Sequence, residues 1–414
     1  MQPLPALADF DDATFNPFLS EDLVFGDLAD THARLEPLRA AGPVLAGQVL
    51  ELLHQPADPN LAGKQVFSVL SYHAIEQVLG NSVAFSNDAE RDGVGQTFGD
   101  SLTIMNAPEH PRYRRIFQRI FFPGQVAKWR GDFIEPIIDE LVAELARSGR
   151  VDLVESFTRA FPFRIIYRQL GLPAQDIAIF QKLAITLTMT WGEYLRFGME
   201  ASRKLGQYLS ALLEHRRNNP GPDLVSQLAH TEVDGERLPD AVVISFLRQL
   251  LNAGGDTTYR ATGTLLTALL TSPAQFDALK SNRSLLPQAI EEALRWDGPV
   301  LFFRRQATTA MTIDGVTIPA DAVVEVVTGA ANRDPSVFDE PNRYDMHRER
   351  KRHFAFGYGP HVCVGQHLAR LEMTHAMTAL LNHFPRLRLD PDKPPPVVRG
   401  VGVRSPRHVY VRVD

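Results

Sequence analysis

The chain has 414 residues, 44 % of them hydrophobic and 22 % charged, with a net charge of −6. That length can bury a large core, and the acidic balance offers no basic stripe for nucleic acid. One cysteine excludes an intramolecular disulfide, and no stretch reaches the ~18 consecutive apolar residues of a membrane span.

Residues 1–9 lack both a basic opening and a long apolar stretch, so a soluble, cytoplasmic protein with neither membrane nor nucleic-acid partner is expected. Length alone would suggest two or three domains. No Gly/Ser tract, Pro-rich run, charge block or repeat marks a linker, so one domain over 1–414 is expected. Residues 30–41 look helical and end at Gly42-Pro43, 44–53 and 66–71 read as short strands, and 72–79 reads as a helix with Gly80-Asn81 past its end. From 83 to 106 no period holds, and Gly93, Gly95 and Gly99 interrupt it; such loops are functional or disordered.

Ala107-Pro108-Glu109-His110-Pro111-Arg112-Tyr113-Arg114-Arg115 suits the start of a helix. His110 and Arg114, four apart, share a face, which taken alone is a solvated surface. Helical periods over 131–146, 162–170, 174–190 and 195–217 are punctuated by Gly171-Leu172-Pro173 and Asn219-Pro220-Gly221-Pro222. Residues 239–270 form one helical pattern about 48 Å long. In its middle lies Ala253-Gly254-Gly255-Asp256-Thr257-Thr258. Each glycine costs about 1 kcal/mol against alanine in a helix, and a ligand approaching the backbone closely would explain the pair. Gln249, Asn252, Ala253, Asp256 and Thr257 follow i, i+3, i+4, i+7, i+8 and so share a face.

In Glu291-Glu292-Ala293-Leu294-Arg295 the three-apart Glu292 and Arg295 can pair, as exposed helix pairs weakly do. Residues 299–307 are strand-like, and Asp314-Gly315 with the run 323–327 suggests a small β region. The lone cysteine follows in Phe356-Gly357-Tyr358-Gly359-Pro360-His361-Val362-Cys363-Val364-Gly365, ahead of a helical pattern (Leu368, Leu371, His375). A glycine-built loop frees backbone N–H groups to point at the sulfur, and a helix N-terminus adds its positive dipole end, so a thiolate is favoured there. A lone cysteine elsewhere would be a small buried hydrophobe. The phrase Phe-Gly-x-Gly-x-His-x-Cys-x-Gly closely resembles the haem-binding loop of the cytochromes P-450.

The resemblance implies a mainly α fold with a smaller β region and a long central helix over haem b. Cys363 would be the axial thiolate ligand of the haem iron. It implies haem contacts from Phe356, Gly365, Ala253 and Gly254, and haem propionate binding by His110, Arg114, Arg305 and His361. Arg304 is then the exposed strand arginine. The motif around Asp256 and Thr257 resembles the family's oxygen-activation motif, where the acid–threonine pair governs proton delivery. Pro341-Asn342-Arg343-Tyr344 resembles the segment whose arginine completes a buried structural triad, here Glu292, Arg295 and Arg343. The 83–106 region would lie over the haem, with Phe85 and Phe98 facing inward or forming a satellite core. Helices 174–190 and 195–217 would roof the pocket, where Phe180, Met189, Trp191, Tyr194, Phe197 and Met199 line it or pack as core. The substrate pocket would take Gln249, Asn252, Leu301, Phe303 and Val403, with the two amides either holding a substrate oxygen or bonding the roof. Residues 400–414 match the family's terminal hairpin.

The implied activity is insertion of one atom of O2 into a lipophilic small molecule by hydroxylation or epoxidation, performed by a monomer. No flavin or iron–sulfur ligand spacing occurs, so electrons would come from a separate ferredoxin and ferredoxin reductase. Arg115, Arg119, Arg348, Arg350, Lys351 and Arg352 would steer the ferredoxin or be ordinary surface charges. The alternatives are a peroxide-driven peroxygenase and a non-catalytic haem carrier or sensor.

Overall fold

The computed structural model describes residue 4, residues 6–20 and residues 26–413. Helices dominate. Seven matter for the site: α1 (Glu109–Ile120), α2 (Ala160–Leu170), α3 (Ile177–Thr186), α4 (Leu195–Asn218), α5 (Asp240–Leu270), α6 (Leu286–Trp296) and α7 (Gln366–His383). One five-stranded sheet stands beside them, built from β1 (Val44–Ala46), β2 (Val66–Val69), β3 (Phe85–Ser86), β4 (Phe303–Ala307) and β5 (Val323–Val326) in the order β1-β2-β5-β4-β3. Its one parallel pair joins Val66 to Val323 and Val69 to Val326.

α5 is the axle. From Thr258 to Leu270 every residue is buried, as expected of a helix surrounded by others. Two of its threonines turn back on its own carbonyls, Thr262 Oγ1 donating to Thr258 at 2.8 Å and Thr267 Oγ1 to Gly263 at 2.9 Å, whereas the buried Thr264 hydroxyl finds no partner among the described residues. α2 crosses α5 at the glycine pair. A Cβ at Gly254 would stand 2.6 Å from Ile166 Cδ1, and one at Gly255 2.3 Å from Phe163 Cε1. The pair therefore owes its place to close helix packing, where a ligand at the backbone was the expectation; Gly254 also reaches the cavity described below.

Several expectations shift at element ends. Residues 44–53 are not one strand, because the chain leaves β1 and turns into a short helix, Val49–Leu52. Gln48 and Glu51 close a capping box at its start, and the Glu325 carboxylate accepts from the Val49 N–H at 2.5 Å. The helix expected over 131–146 opens as a π-turn, Arg130–Ile134, before Glu135–Leu145. Asp314 (φ 45°) and Gly315 (φ 83°) make the expected hairpin turn between Met311–Ile313 and Val316–Ile318. Near the C-terminus Val398–Arg399 pairs with Ser405–Pro406, and Tyr410–Arg412 pairs with Arg150–Asp152; Asp414 lies outside the described residues.

The aperiodic 83–106 segment is built of β3, a 3-10 turn at Asp88–Glu90 and a short helix at Gly95–Phe98. Phe85 packs with Phe338 and Ile75, and Phe98 joins the main core. An N-terminal arm lies across α4. Phe15 stacks on Phe197 with ring centroids 3.7 Å apart, and Phe10 meets both rings edge-on. Buried Lys204 donates to the Asp9 carbonyl and, at 2.8 Å, to the Asp11 carboxylate. No helix among the described residues is long and apolar enough to cross a membrane.

Candidate haem site

The cysteine loop is shaped by two residues in left-handed backbone, Gly357 and Gly359, each at φ 70°. At Gly359 a Cβ would stand 2.3 Å from the Leu79 carbonyl oxygen, so only glycine fits. The Cys363 N–H donates to the Phe356 carbonyl at 2.8 Å, and α7 begins three residues later behind Gly365. The sulfur is enclosed by protein yet open to an internal cavity of about 350 Å³. Burial pushes the thiol up, while the N–H groups of Gly365 and Gln366 and the charges of Arg114 and Arg370 favour its thiolate. Arg370 is itself held by Glu291 at 2.6 and 3.0 Å, and its guanidinium lies over the Phe356 ring.

Ala253, Gly254 and Thr257 of α5 line the same cavity, as do Leu102, Thr103, Phe246, Gln249, Val300 and Phe303. The Thr257 hydroxyl donates to the Ala253 carbonyl at 3.0 Å and remains accessible from the cavity. Asp256 does not face it. Its carboxylate takes a forked bond from Arg260, one turn on, at 3.0 to 3.1 Å, and Arg260 continues to Ser405 Oγ at 3.1 Å. Burial pushes Asp256 up to about 7, opposed by the charge of Arg159.

His110, Arg114, Arg305 and His361 come together at one edge. The His110 and His361 rings stack with centroids 3.7 Å apart. Burial, then the charges of Arg114 and Arg305, push His110 down to about 4. Burial, then His110, Arg305 and Arg114, push His361 to about 2. Among the described residues both guanidiniums bond only carbonyl oxygens, Arg114 that of Val362 and Arg305 that of Arg304 at 2.7 Å. His110 Nε2 is buried with no hydrogen-bond partner among the described residues. Four groups with no carboxylate hydrogen-bond partner among the described residues, gathered at one edge of an apolar cavity with a thiol at its wall, fit a flat ligand that carries acid groups and a thiolate-seeking metal. A porphyrin with two propionates and iron is such a ligand.

Known proteins agree with this geometry. Residues 60–411 match the family model described as Cytochrome P450. The chain belongs to the cytochrome P450 family. Cytochrome P450 monooxygenase PikC of Streptomyces venezuelae is 32 % identical, over 90 % of both chains. Cyclomarin C epoxidase CymV of Salinispora arenicola is 31 % identical, over 86 % of this chain and 93 % of that one. The crystal structure of CYP109E1 from Bacillus megaterium in complex with corticosterone superposes with a TM-score of 0.80 at 27 % identity, covering 93 % of this chain and 98 % of that one. The protein is therefore a P450 monooxygenase with a haem-thiolate cofactor, acting on a small molecule with O2 and redox partners.

Within this P450 several expected positions move. The buried triad has a different third member. Glu292 pairs with Arg295 at 2.7 and 2.8 Å, and Arg348 donates to Glu292 at 3.0 Å. Arg343 is exposed and turns to Glu340 and Asp345; only its backbone carbonyl joins the cluster, accepting from Arg295 at 3.2 Å and Arg348 at 3.0 Å. Arg304, expected at the surface, is buried between Asp58 at 2.6 Å and Glu325 at 3.2 Å. Asn252 is buried and donates to the Ala184 carbonyl of α3 at 3.0 Å, so it ties the roof to α5 and leaves the cavity to Gln249.

Leu301 packs into the cluster of Leu35, Val49 and Val327, and its neighbour Val300 lines the cavity. The family position pointed to Leu301, but the strand starts only at Phe303, beyond an isolated bridge from Val300 to Val403. Val403 backs the wall through that bridge without lining it. The roof aromatics and methionines also stay out: Phe180, Met189 and Phe197 are core, and Met199 is exposed. Asn87 was missed. Its amide nitrogen lies 2.9 Å from His361 Nε2, and it sits where no sequence period pointed.

Proposed function

We propose that Cys363 holds haem b and that the protein hydroxylates or epoxidises a lipophilic small molecule, taking electrons from a separate ferredoxin and ferredoxin reductase as a single-domain, cytoplasmic monomer. The observation that carries this is the placement of Cys363 on one wall of a mainly apolar cavity and Thr257 on another. The haem, when bound, supplies the O2 reduction and the oxygen insertion.

The chain's own residues supply the rest. Phe356 and Gly365 bound the sulfur's side of the cavity, and Ala253 and Gly254 leave room on the other. Arg114, Arg305, His110 and His361 receive the propionates, with Asn87 holding the His361 ring. Thr257 donates a proton from its Oγ1 into the cavity. Asp256, one residue back and near neutrality in its titration, restores that proton once its fork with Arg260 loosens. Glu292, Arg295 and Arg348 fix the structure on the cysteine's side. Arg115 and Arg119 are exposed with no ion pair among the described residues and can meet an acidic ferredoxin. Arg348 is committed to Glu292 and is withdrawn from that role.

A lipophilic substrate suits the wall of Leu102, Phe246, Leu250, Val300 and Phe303. The corticosterone held by one neighbour and the epoxidation named for one relative belong to the same range of chemistry. The test is turnover of a spin-shifting lipophilic ligand by the holoenzyme with NAD(P)H and a ferredoxin system. Product that needs only hydrogen peroxide, and none from the ferredoxin system, would replace this with the peroxygenase alternative. Thr257→Ala is expected to bind substrate and consume NAD(P)H as the parent does, while diverting most of the reducing power to hydrogen peroxide. Coupling equal to the parent's would remove Thr257 from proton delivery.

A further inference from the structure

Gln249 precedes Thr257 by eight residues on α5, about 12 Å along the helix axis. Its amide nitrogen donates to Thr103 Oγ1, so the side chain is clamped between α5 and the 99–106 stretch. Its carbonyl oxygen, Oε1, is buried and has no hydrogen-bond partner among the described residues. Both residues line the cavity, among Leu102, Phe246 and Leu250. A buried amide oxygen left unpaired costs about 1–3 kcal/mol. Asn252, one turn further on, shows the contrast, because its amide nitrogen bonds the roof and the residue leaves the cavity altogether.

A second acceptor lines the cavity beside Arg305. Glu90 lines the cavity and takes the Arg304 N–H on one carboxylate oxygen at 2.8 Å. The strong donors, Arg114 and Arg305, belong to the cluster around His361. Among the oxygens that line the cavity, Gln249 Oε1 is buried and left in need of a hydrogen.

We propose that Gln249 sets specificity: a hydroxyl or N–H on an otherwise lipophilic substrate donates to Gln249 Oε1, and Thr103 fixes the amide in the accepting orientation. This rests on the haem-thiolate function proposed above, which places the reacting carbon at the Thr257 end. A site built to pair a substrate donor rejects the analogue that lacks it, because its own oxygen is then stranded. A ketone or ether of the same skeleton should therefore be a poorer ligand than the alcohol.

The test uses the holoenzyme and a homologous series of ω-(imidazol-1-yl)alkanols with six to twelve methylenes, each with its methyl ether. The imidazole anchors on the haem iron and the chain carries the terminal oxygen up the cavity. The ether keeps the acceptor and loses the donor. In the parent, one chain length should favour the alcohol by about tenfold in Kd, read by the azole spectral shift and by calorimetry. Gln249→Leu should erase that preference by weakening the alcohol while leaving the ether's Kd unchanged, whereas general loosening of the pocket would weaken both. Gln249→Glu, which keeps an acceptor, should retain it. An ether as tight as its alcohol at every length, or a preference that survives Gln249→Leu, overturns the proposal. Absence of any azole shift in the parent would instead strike the haem-thiolate reading, and this proposal with it.

Discussion

Cys363→Ser is expected to lose the long-wavelength band of the reduced CO complex while keeping its fold. The loop does not depend on the sulfur for its shape. Gly357 and Gly359 supply the left-handed turns, and the Cys363 N–H to Phe356 bond is a backbone contact that serine preserves. The sulfur points into the cavity, so the change opens no void in packed core. What is lost is the anion. Serine has no accessible alkoxide, so the N–H groups of Gly365 and Gln366 and the charges of Arg114 and Arg370 have no thiolate to stabilise. The measurement is the CO difference spectrum beside a thermal melt. A variant that keeps the long-wavelength band would show that Cys363 is not the axial ligand.

Glu292→Ala is expected to yield little or no haem-loaded protein. The carboxylate is buried, takes two bonds from Arg295, one from Arg348 and one from the Asp345 N–H at 3.0 Å. Removing it strands two guanidiniums, and breaking a buried pair in this way costs about 3–5 kcal/mol. That is a large part of a typical folding free energy. The same geometry separates two arginines that the sequence does not. Arg348→Ala should share much of the loss, whereas Arg343→Ala, at an exposed pair, should fall within about 0.5 kcal/mol of the parent. Haem content and melting temperature read all three. Normal haem loading of Glu292→Ala would reduce the pair to a surface bridge.

The long-range skeleton was legible in the residues wherever a local rule was strong. The cysteine loop announces itself through glycines that no other residue can replace, and α5 through its unbroken apolar period. The i, i+4 spacing of His110 and Arg114 put both at one edge of the site, Arg114 lining the cavity and His110 stacked behind it on His361. The failures have physical causes. Helical arithmetic gives faces in steps of about 100°, which cannot tell Asn252, just outside the cavity face, from Gln249 at its edge. The family position pointed one residue past the wall at Leu301, where the backbone is not yet a strand and Val300 lines the cavity instead. Arg348 took Arg343's place because a buried carboxylate selects its partner by reach through space. Asp256, Arg304 and Asn87 turn on contacts from distant segments, and such contacts leave no local period.

The order of the sheet has a consequence for how the protein is made. β1, β2 and β3 emerge from the ribosome early, but β2 finds its second neighbour only in β5, and β3 is joined to the sheet only through β4. At about 5–20 residues per second, the first strands wait roughly ten to fifty seconds with unpaired edges. Such edges recruit other chains. Chaperone demand should therefore peak late in synthesis, and a message truncated before β5 should give an aggregating product rather than a smaller oxygenase.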